Sequence, residues 1–188
     1  MPILPAEPDI FPNHLLDGGP GTDAETRHWW ALYTLPRREK ELMRRLRRMG
    51  LHHYSPLVKR RARSPAGRFR TSYVPLFPGY VFLCGEEEHR YQALTTNCVS
   101  RCLVVDDTGQ LVRDLRQIVR LVRCDAPLLP ESRIQAGMQV RIRSGSLEGL
   151  EGTVIRRHGG DRLLIAVHFL QRGASVLLDD FQVERIDG

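Results

Sequence analysis

The sequence predicts an α+β protein in two parts, an antiparallel sheet flanked by helices and then a small β-barrel. In the first part, two segments carry apolar residues at helical spacing between short apolar runs typical of strands. One such run, VPLFPGYVFL from Val74 to Leu83, leaves a Pro-bounded turn as a strand of large apolar side chains. The last third contains short strand candidates separated by glycine-rich turns, which favours a barrel.

The chain begins with a segment rich in Pro, Gly and Asp, and we predict that residues 1–26 form a disordered tail. A strand, HWWALYTL, follows from His28. The next segment, PRREKELMRRLRRMG, predicts an amphipathic helix that starts near Pro36 and stops at Gly50. The apolar stripe of this helix is predicted to comprise Leu35, Leu42, Leu46 and Met49.

A basic hairpin is predicted next, with its tip over Ser64, Pro65, Ala66 and Gly67. After the strand that ends near Leu83, GEEEHRYQALTT predicts a short helix and SRCLVVDDTG predicts a strand. A second long helix, LVRDLRQIVRLVR, is predicted to place one apolar face on the sheet. That face comprises Leu111, Leu115, Ile118, Val119 and Val122.

Pro127 and Pro130 bracket a connector where the helical pattern stops. We therefore predict an α+β domain over 27–125, a linker over 126–133 and a β domain over 134–188. The strand candidates of the last segment are Gln139–Ile142, Thr153–Arg156, Leu163–Phe169 and Val176–Leu178. Gly145, Gly149 and Gly152 are expected where turns need positive φ or where strands approach closely.

The charge distribution favours a polyanionic partner. The net charge is +6, but residues 1–26 carry five acidic and no basic residues, so the remainder carries 6 + 5 = +11. The first helix concentrates arginine on one face, and a second basic block lies in the hairpin segment. Two interpretations of these basic groups remain: they contact nucleic-acid phosphates, or they simply form a solvated surface. They comprise Arg37, Arg38, Lys40, Arg44, Arg45, Arg47 and Arg48, then Lys59, Arg60, Arg61, Arg63, Arg68 and Arg70.

Other functional classes have little support. The four cysteines, Cys84, Cys98, Cys102 and Cys124, lie in apolar surroundings without the paired spacing of zinc sites, so we expect buried thiols and neither metal nor cofactor. No nucleophile elbow, phosphate-cradling glycine loop or metal-binding histidine motif appears, and we expect no enzyme activity. The chain lacks an apolar membrane span and a secretory signal, so we expect a cytoplasmic protein with no membrane partner.

Two motifs carry a family resemblance. WWALYTLPRREKELMRRL followed by PLFPGYVFL resembles the N-terminal (NGN) domain of the NusG family of transcription elongation factors. GMQVRIRSGSLEGLEGTV with LLIAVHF and DDFQVERI is similar to the C-terminal, SH3-like KOW domain of that family. The resemblance implies a monomeric factor that opposes pausing or termination while its N-terminal domain binds the clamp helices of RNA polymerase. It places Trp30, Tyr33, Phe77, Pro78 and Tyr80 in the polymerase-binding site, although each aromatic could instead be core.

The closer resemblance is to the specialised RfaH-like antitermination paralogues, which share WxxLY and PLFPxYxF. In that group the first helix contacts the non-template DNA strand, and the matching positions here are Arg37, Arg38, Arg45 and Arg48. Glu41 departs from the basic or neutral pattern, which favours phosphate contact over base reading. Thr95 and Thr96 are a partial counterpart of a threonine-rich segment that contacts the opposite side of polymerase in that group.

The resemblance further implies that the KOW domain recruits a small-subunit ribosomal protein or the termination factor Rho, through Phe169 and Leu170. Phe169 is equally compatible with a place in the barrel core. Three glycines within eight positions disfavour a helical alternative, so we predict a permanent β form for this domain. The alternative function is a KOW-containing RNA-binding or ribosome-associated protein.

Overall fold

The computed structural model describes residues 7–17, 23–63, 67, 69–124, 126–133, 136–157, 160–178 and 183–186. The chain divides into two compact units, Met1–Thr108 and Gly109–Gly188. This division lies ahead of the predicted linker, because the last long helix clusters with the second unit. Within the described residues, no helix has the length and apolar character needed to cross a membrane.

The first unit is built on antiparallel strands with helices between them, which confirms the predicted α+β class. Its elements are β1 (Ile10–Phe11), α1 (Asp23–Thr26), β2 (His28–Thr34), α2 (Glu39–Arg48), β3 (His52–Tyr54), β4 (Leu57–Arg63), β5 (Phe69–Pro75), β6 (Tyr80–Gly85), α3 (Glu87–Leu94) and β7 (Val99–Val104). Five strands form one sheet in the order β1-β3-β6-β2-β7. The other two, β4 and β5, pair with each other as a separate hairpin, as predicted.

The core of the first unit lies between this sheet and α2. Because side chains alternate along a strand, Trp30 and Leu32 project from the same face of β2. These side chains share a buried cluster with Leu42 and Leu46 of α2 and with Leu83 of β6. The predicted packing of an amphipathic helix on the sheet is therefore confirmed.

The bounds and the stripe of α2 differ from the prediction. Arg37 has a φ of 62°, which no right-handed helix accommodates, so the helix begins at Glu39 and not at Pro36. Leu35 therefore precedes the helix, Met49 follows its last residue, Arg48, and the two are 42% and 46% exposed. Met43 occupies the buried stripe in their place.

The expectation of a disordered tail also differs from the described part of residues 1–26. Ile10 and Phe11 pair with Tyr54 and His53, so β1 extends the sheet. The side chains of Ile10, Leu15 and Leu16 are buried. The composition predicts disorder because the segment is rich in Pro, Gly and Asp, whereas a few apolar residues are enough to dock it on an existing sheet edge.

The second unit consists of a long helix and an antiparallel sheet. Its elements are α4 (Thr108–Arg123, which begins at the unit boundary), β8 (Leu129–Glu131), β9 (Met138–Ile142), β10 (Glu151–Arg157), β11 (Gly160–Val167), the 3₁₀ turn His168–Leu170, β12 (Arg172–Leu177) and β13 (Val183–Arg185). The six strands run in the order β13-β9-β10-β11-β12-β8. Over the described residues this sheet is open, so the predicted closed barrel stays a prediction.

Close packing inside this sheet depends on Gly152. A Cβ atom at this position would lie 2.4 Å from the carbonyl oxygen of Leu164 on the neighbouring strand. Gly145 and Gly149, with φ values of 93° and 76°, form the turn before it. The predicted reason for all three glycines is confirmed, and the segment is β in this structure.

Helix α4 contacts the sheet of the second unit through polar side chains. The Asp114 carboxylate accepts a hydrogen bond from the backbone N–H of His168 at 2.8 Å. The side-chain oxygen of Gln117 accepts one from the backbone N–H of Glu151, also at 2.8 Å. Arg120 donates to the carbonyl oxygen of Glu148. Asp114 is 1% exposed, so this helix face combines its apolar residues with a buried acceptor.

Candidate nucleic-acid interface and aromatic site

Two tyrosines form an exposed aromatic pair on the face of the sheet opposite α2. Tyr33 of β2 lies directly across from Tyr80 of β6, so both project from the same face. Their ring centroids are 5.2 Å apart, with the ring planes inclined by 59°. Tyr33 is 40% exposed and Tyr80 is half-buried. The pair therefore offers aromatic surface while each ring supports the other.

The same face extends onto the edge strand β7. Arg101 lies across from Tyr33, and Leu103, which is 38% exposed, lies across from Ala31. A β-bulge between Tyr33 and Thr34 interrupts the pairing at this point. Sequence reasoning did not find Arg101 and Leu103, because only the strand pairing places them beside the tyrosines.

A tight turn fixes the tyrosine pair. Gly79 has a φ of 86°, and a Cβ there would lie 2.9 Å from Cε2 of Tyr33, so the ring rests directly on the glycine backbone. The Gly79 carbonyl accepts a hydrogen bond from the N–H of Thr34 at 2.8 Å. Its N–H donates to Oε1 of the buried Glu39 at 2.8 Å. Glu39 thereby ties the turn to the first residue of α2, a contact that the sequence did not reveal.

The five residues predicted for polymerase binding divide into two groups. Tyr33, Pro78 and Tyr80 are at least partly accessible. Trp30 and Phe77 are only 3% and 2% exposed, which places both in the core. The alternation of β2 directs Trp30 toward α2, whereas the turn before Gly79 buries Phe77 and exposes its neighbour Pro78.

The basic face predicted on α2 is partly neutralised by Glu41. Arg38 and Arg45 both bind its carboxylate, Arg45 at 2.6 Å. Hydrogen bonds from Arg38 and then Arg45 lower the pKa of Glu41. Arg45 also donates to the carbonyl oxygen of Thr96 at 2.7 Å. Arg37, which precedes the helix, and Arg48, near its end, are both exposed.

A second stripe of α2 contacts the N-terminal segment. Arg44 binds the Glu7 carboxylate at 3.0 Å. Arg47 donates to the carbonyl oxygen of Ile10 at 2.7 Å, and its guanidinium lies 5.2 Å from the ring centroid of Phe11. The arginines of this helix therefore serve two surfaces, of which one is occupied by the chain itself.

The hairpin carries the second basic surface. Arg68 lies outside the described residues; Arg70 pairs with Ala62 in β5, but its side chain is likewise outside them. Lys59, Arg61 and Arg63 are exposed. Between residues 42 and 85 the chain has ten Lys or Arg residues and no Asp or Glu. The basic part of α2 and the hairpin thus belong to one acid-free segment.

The remaining predicted positions are placed as follows. Phe169 and Leu170 lie in the 3₁₀ turn after β11, both partly exposed, so Phe169 is not a strand residue. Thr95 is exposed at the end of α3, whereas Thr96 is buried and donates to the carbonyl oxygen of Ala93 at 2.6 Å. Of the predicted threonine counterpart, only Thr95 presents its side chain at the surface.

The cysteines are all free thiols. Cys84 and Cys98 are buried as predicted, and Cys102 and Cys124 are half-buried. Burial raises the pKa of Cys84 to about 12, which keeps this thiol protonated. In the part of the chain that the structure describes, no group of three or more His, Cys, Asp or Glu side chains could hold a metal ion.

These features define a two-unit α+β protein that presents an aromatic pair and an arginine-rich surface on its first unit. Comparison of the sequence with models of known protein families identifies the family. The family described as "Transcription termination factor nusG" matches residues 27–136, more than half of the chain. The chain belongs to the NusG family, a family of transcription factors that bind RNA polymerase. No curated protein matches the chain.

Proposed function

We propose that this protein is a transcription elongation and antitermination factor whose first unit binds the clamp helices of RNA polymerase. The observation that carries the proposal is the exposed pair Tyr33 and Tyr80, held by the Gly79 turn in a unit whose residues 42–85 contain ten basic residues and no acidic one. Partly exposed aromatics at the centre of a patch are the side chains that dominate binding energy at protein interfaces. Pro78, Leu103 and Arg101 complete the contact surface.

Nucleic-acid contact is proposed for the arginines of α2 and of the residues just before it, on the other face of the sheet from the tyrosine pair. Arg37 and Arg48 reach the phosphates of the non-template strand directly. Arg38 and Arg45 are hydrogen-bonded to Glu41 and therefore contribute a weaker field. The role proposed for Glu41 is to hold the side chains of Arg38 and Arg45 in place, which explains why an acidic residue lies among these arginines. Trp30 and Phe77 support the site from the core and make no contact with polymerase.

The second unit is proposed to be a KOW domain whose sheet closes as an SH3-like barrel. In this proposal its partly exposed residues Phe169 and Leu170 bind a small-subunit ribosomal protein or Rho. The specialised RfaH-like role is part of this proposal, because the motifs WxxLY and PLFPxYxF are common to that group. A factor that binds the elongating state of polymerase more tightly than the paused state shifts the population toward elongation, and needs no catalysis of its own.

Binding of the full chain to purified RNA polymerase tests the proposal. Tyr80→Ala and Tyr33→Ala should each weaken the affinity by about tenfold or more, the usual effect of truncating a central tyrosine. Tyr91→Ala is the matched control, since Tyr91 is a tyrosine of α3 that is 58% exposed and lies outside the proposed surface. Thermal melts of each variant must stay cooperative. Wild-type affinity in both Tyr33 and Tyr80 variants would refute the proposed docking surface.

A further inference from the structure

The hairpin β4–β5 has one face on which cations and aromatic rings are interleaved. The register pairs Lys59 with Tyr73, Arg61 with Thr71 and Arg63 with Phe69. Directly paired residues of an antiparallel hairpin project to the same side, and so do alternate residues of one strand. These six side chains therefore share one face of the hairpin. No acidic residue occurs in either strand.

Phe69 is the unusual member of this face. Phe69 is 62% exposed, although burial of a phenylalanine side chain is normally favourable by about 1.5–3 kcal/mol. The guanidinium of Arg61 lies 4.2 Å from the ring centroid of Phe69, which stabilises the ring on this face. Because Phe69 is largely exposed despite this contact, its ring can still stack with a flat aromatic ligand.

The hairpin root holds this face in place. Leu57, at the start of β4, is buried in the core cluster of the first unit, and Tyr73 packs partly against the same cluster. The far end of the hairpin, by contrast, carries the exposed Arg61, Arg63 and Phe69. A fixed root with an exposed cationic and aromatic end resembles the platforms on which single strands bind.

We propose that this face of the hairpin is a binding site for single-stranded DNA, with one unpaired base stacked on Phe69. Lys59, Arg61 and Arg63 contact the phosphates along the strand, and Thr71 supplies a hydroxyl between them. The assignment to DNA rests on the proposed function, in which the displaced non-template strand is the nearby nucleic acid. The requirement for an unpaired base does not rest on it.

Single-stranded DNA fits this face better than a duplex does. In a duplex both faces of each internal base are already stacked, so the exposed ring of Phe69 would gain no partner. In a single strand the bases can turn out and stack on a side-chain ring, whatever their identity. The cations alone would bind either form, since both carry phosphates.

Fluorescence anisotropy of the full chain with free DNA tests the inference. The probes are a labelled oligothymidine of about 12 nucleotides, within the usual site size of such platforms, a duplex of the same length and the matching RNA. Phe69→Ala should weaken binding of the oligothymidine by about fivefold or more and change duplex binding by less than about twofold. Arg61→Gln should weaken both, and reduce the salt dependence of both.

Tyr91→Ala is the control variant, because Tyr91 is 58% exposed and carries the guanidinium of Arg90 at 4.5 Å, but lies on an acidic helix. This variant should bind the oligothymidine as the wild type does. Equal losses on single strand and duplex in Phe69→Ala, no loss at all, or tighter binding of RNA than of DNA would overturn the inference. Because no polymerase is present, failure of the docking surface at Tyr33 and Tyr80 would leave these results unchanged.

Discussion

The buried histidine of β3 should make the stability of this protein fall steeply between pH 7 and pH 5. His53 is fully buried, and its Nδ1 donates to the carbonyl oxygen of Leu51 at 2.8 Å. Among the described residues, Nε2 has no hydrogen-bond partner. Burial lowers the pKa of His53 from 6.5 to about 4, and the nearby Arg47 guanidinium acts in the same direction. The folded protein therefore keeps the ring neutral.

The magnitude follows from linkage. The unfolded chain binds a proton at this residue below pH 6.5, whereas the folded chain does so only below about pH 4. Stability is thus fully present above pH 6.5 and is lost progressively as the pH falls toward 4. The free energy of unfolding should drop by about 2 kcal/mol between pH 7 and pH 5 from this residue alone.

Urea unfolding of the wild type and of His53→Asn at both pH values measures this contribution. Asparagine can still donate to the carbonyl oxygen of Leu51 but has no imidazole to protonate. The variant will be less stable at pH 7, since it leaves a small cavity, but it should lose about 2 kcal/mol less than the wild type on acidification. His28→Asn removes an exposed imidazole and is the control. Equal losses in the wild type and His53→Asn would refute the reasoning.

Two further substitutions test contacts that hold the sites. Gly79→Ala should destabilise the protein by about 1–3 kcal/mol and displace the ring of Tyr33, because the new Cβ would combine a positive φ with a close contact. Gly50→Ala, at a φ of 70° with open space around it, is the control, and equal urea midpoints for the two would contradict the close-contact argument. Asp114→Asn should lower the free energy of unfolding by about 1–3 kcal/mol. The two carboxylate oxygens of Asp114 accept hydrogen bonds from the backbone N–H of His168 and from Gln110, whereas asparagine has one side-chain oxygen to accept them. An unchanged unfolding free energy would show that this buried acceptor contributes nothing.

The sequence predicted element types well where an apolar pattern was long. The helical period of α2 was correct, but its start was not, because the positive φ of Arg37 is a local choice that propensity does not reveal. Leu35 lies before the helix and Met49 after its last residue, so both are exposed, whereas packing on the sheet buries Met43. The pattern thus predicted the helix, and tertiary context decided which residues it buries.

The aromatic site was predicted only in part for the same reason. Strand alternation separates Tyr33 from Trp30, but the sequence alone did not say which of the two faces the helix. Phe77 lies in a turn, where alternation gives no guidance, and the fold buries it. Leu103 joined the site through the pairing of β7 with β2, a long-range contact that no local pattern encodes.

The second unit shows a similar division. Glycines at sterically demanding positions were recognised because a side chain would clash or strain the turn, as the 2.4 Å approach at Gly152 demonstrates. The polar contacts of α4 were missed, since Asp114 reads as an ordinary surface residue of an amphipathic helix. Burial of a carboxylate with its partners is a property of packing rather than of spacing.

The short strand Ile10–Phe11 has a practical consequence for work on this protein. A fragment trimmed to the family match, from residue 27, would lack it and would leave the backbone donors and acceptors of His52–Tyr54 bare at the sheet margin. An exposed sheet edge can pair with a strand from another molecule. The surface that Ile10, Leu15 and Leu16 cover in the full chain would also be exposed, and it is apolar. Self-association of the trimmed fragment could then be mistaken for a native oligomer, so an expressed fragment should keep the N-terminal segment from Glu7 onward.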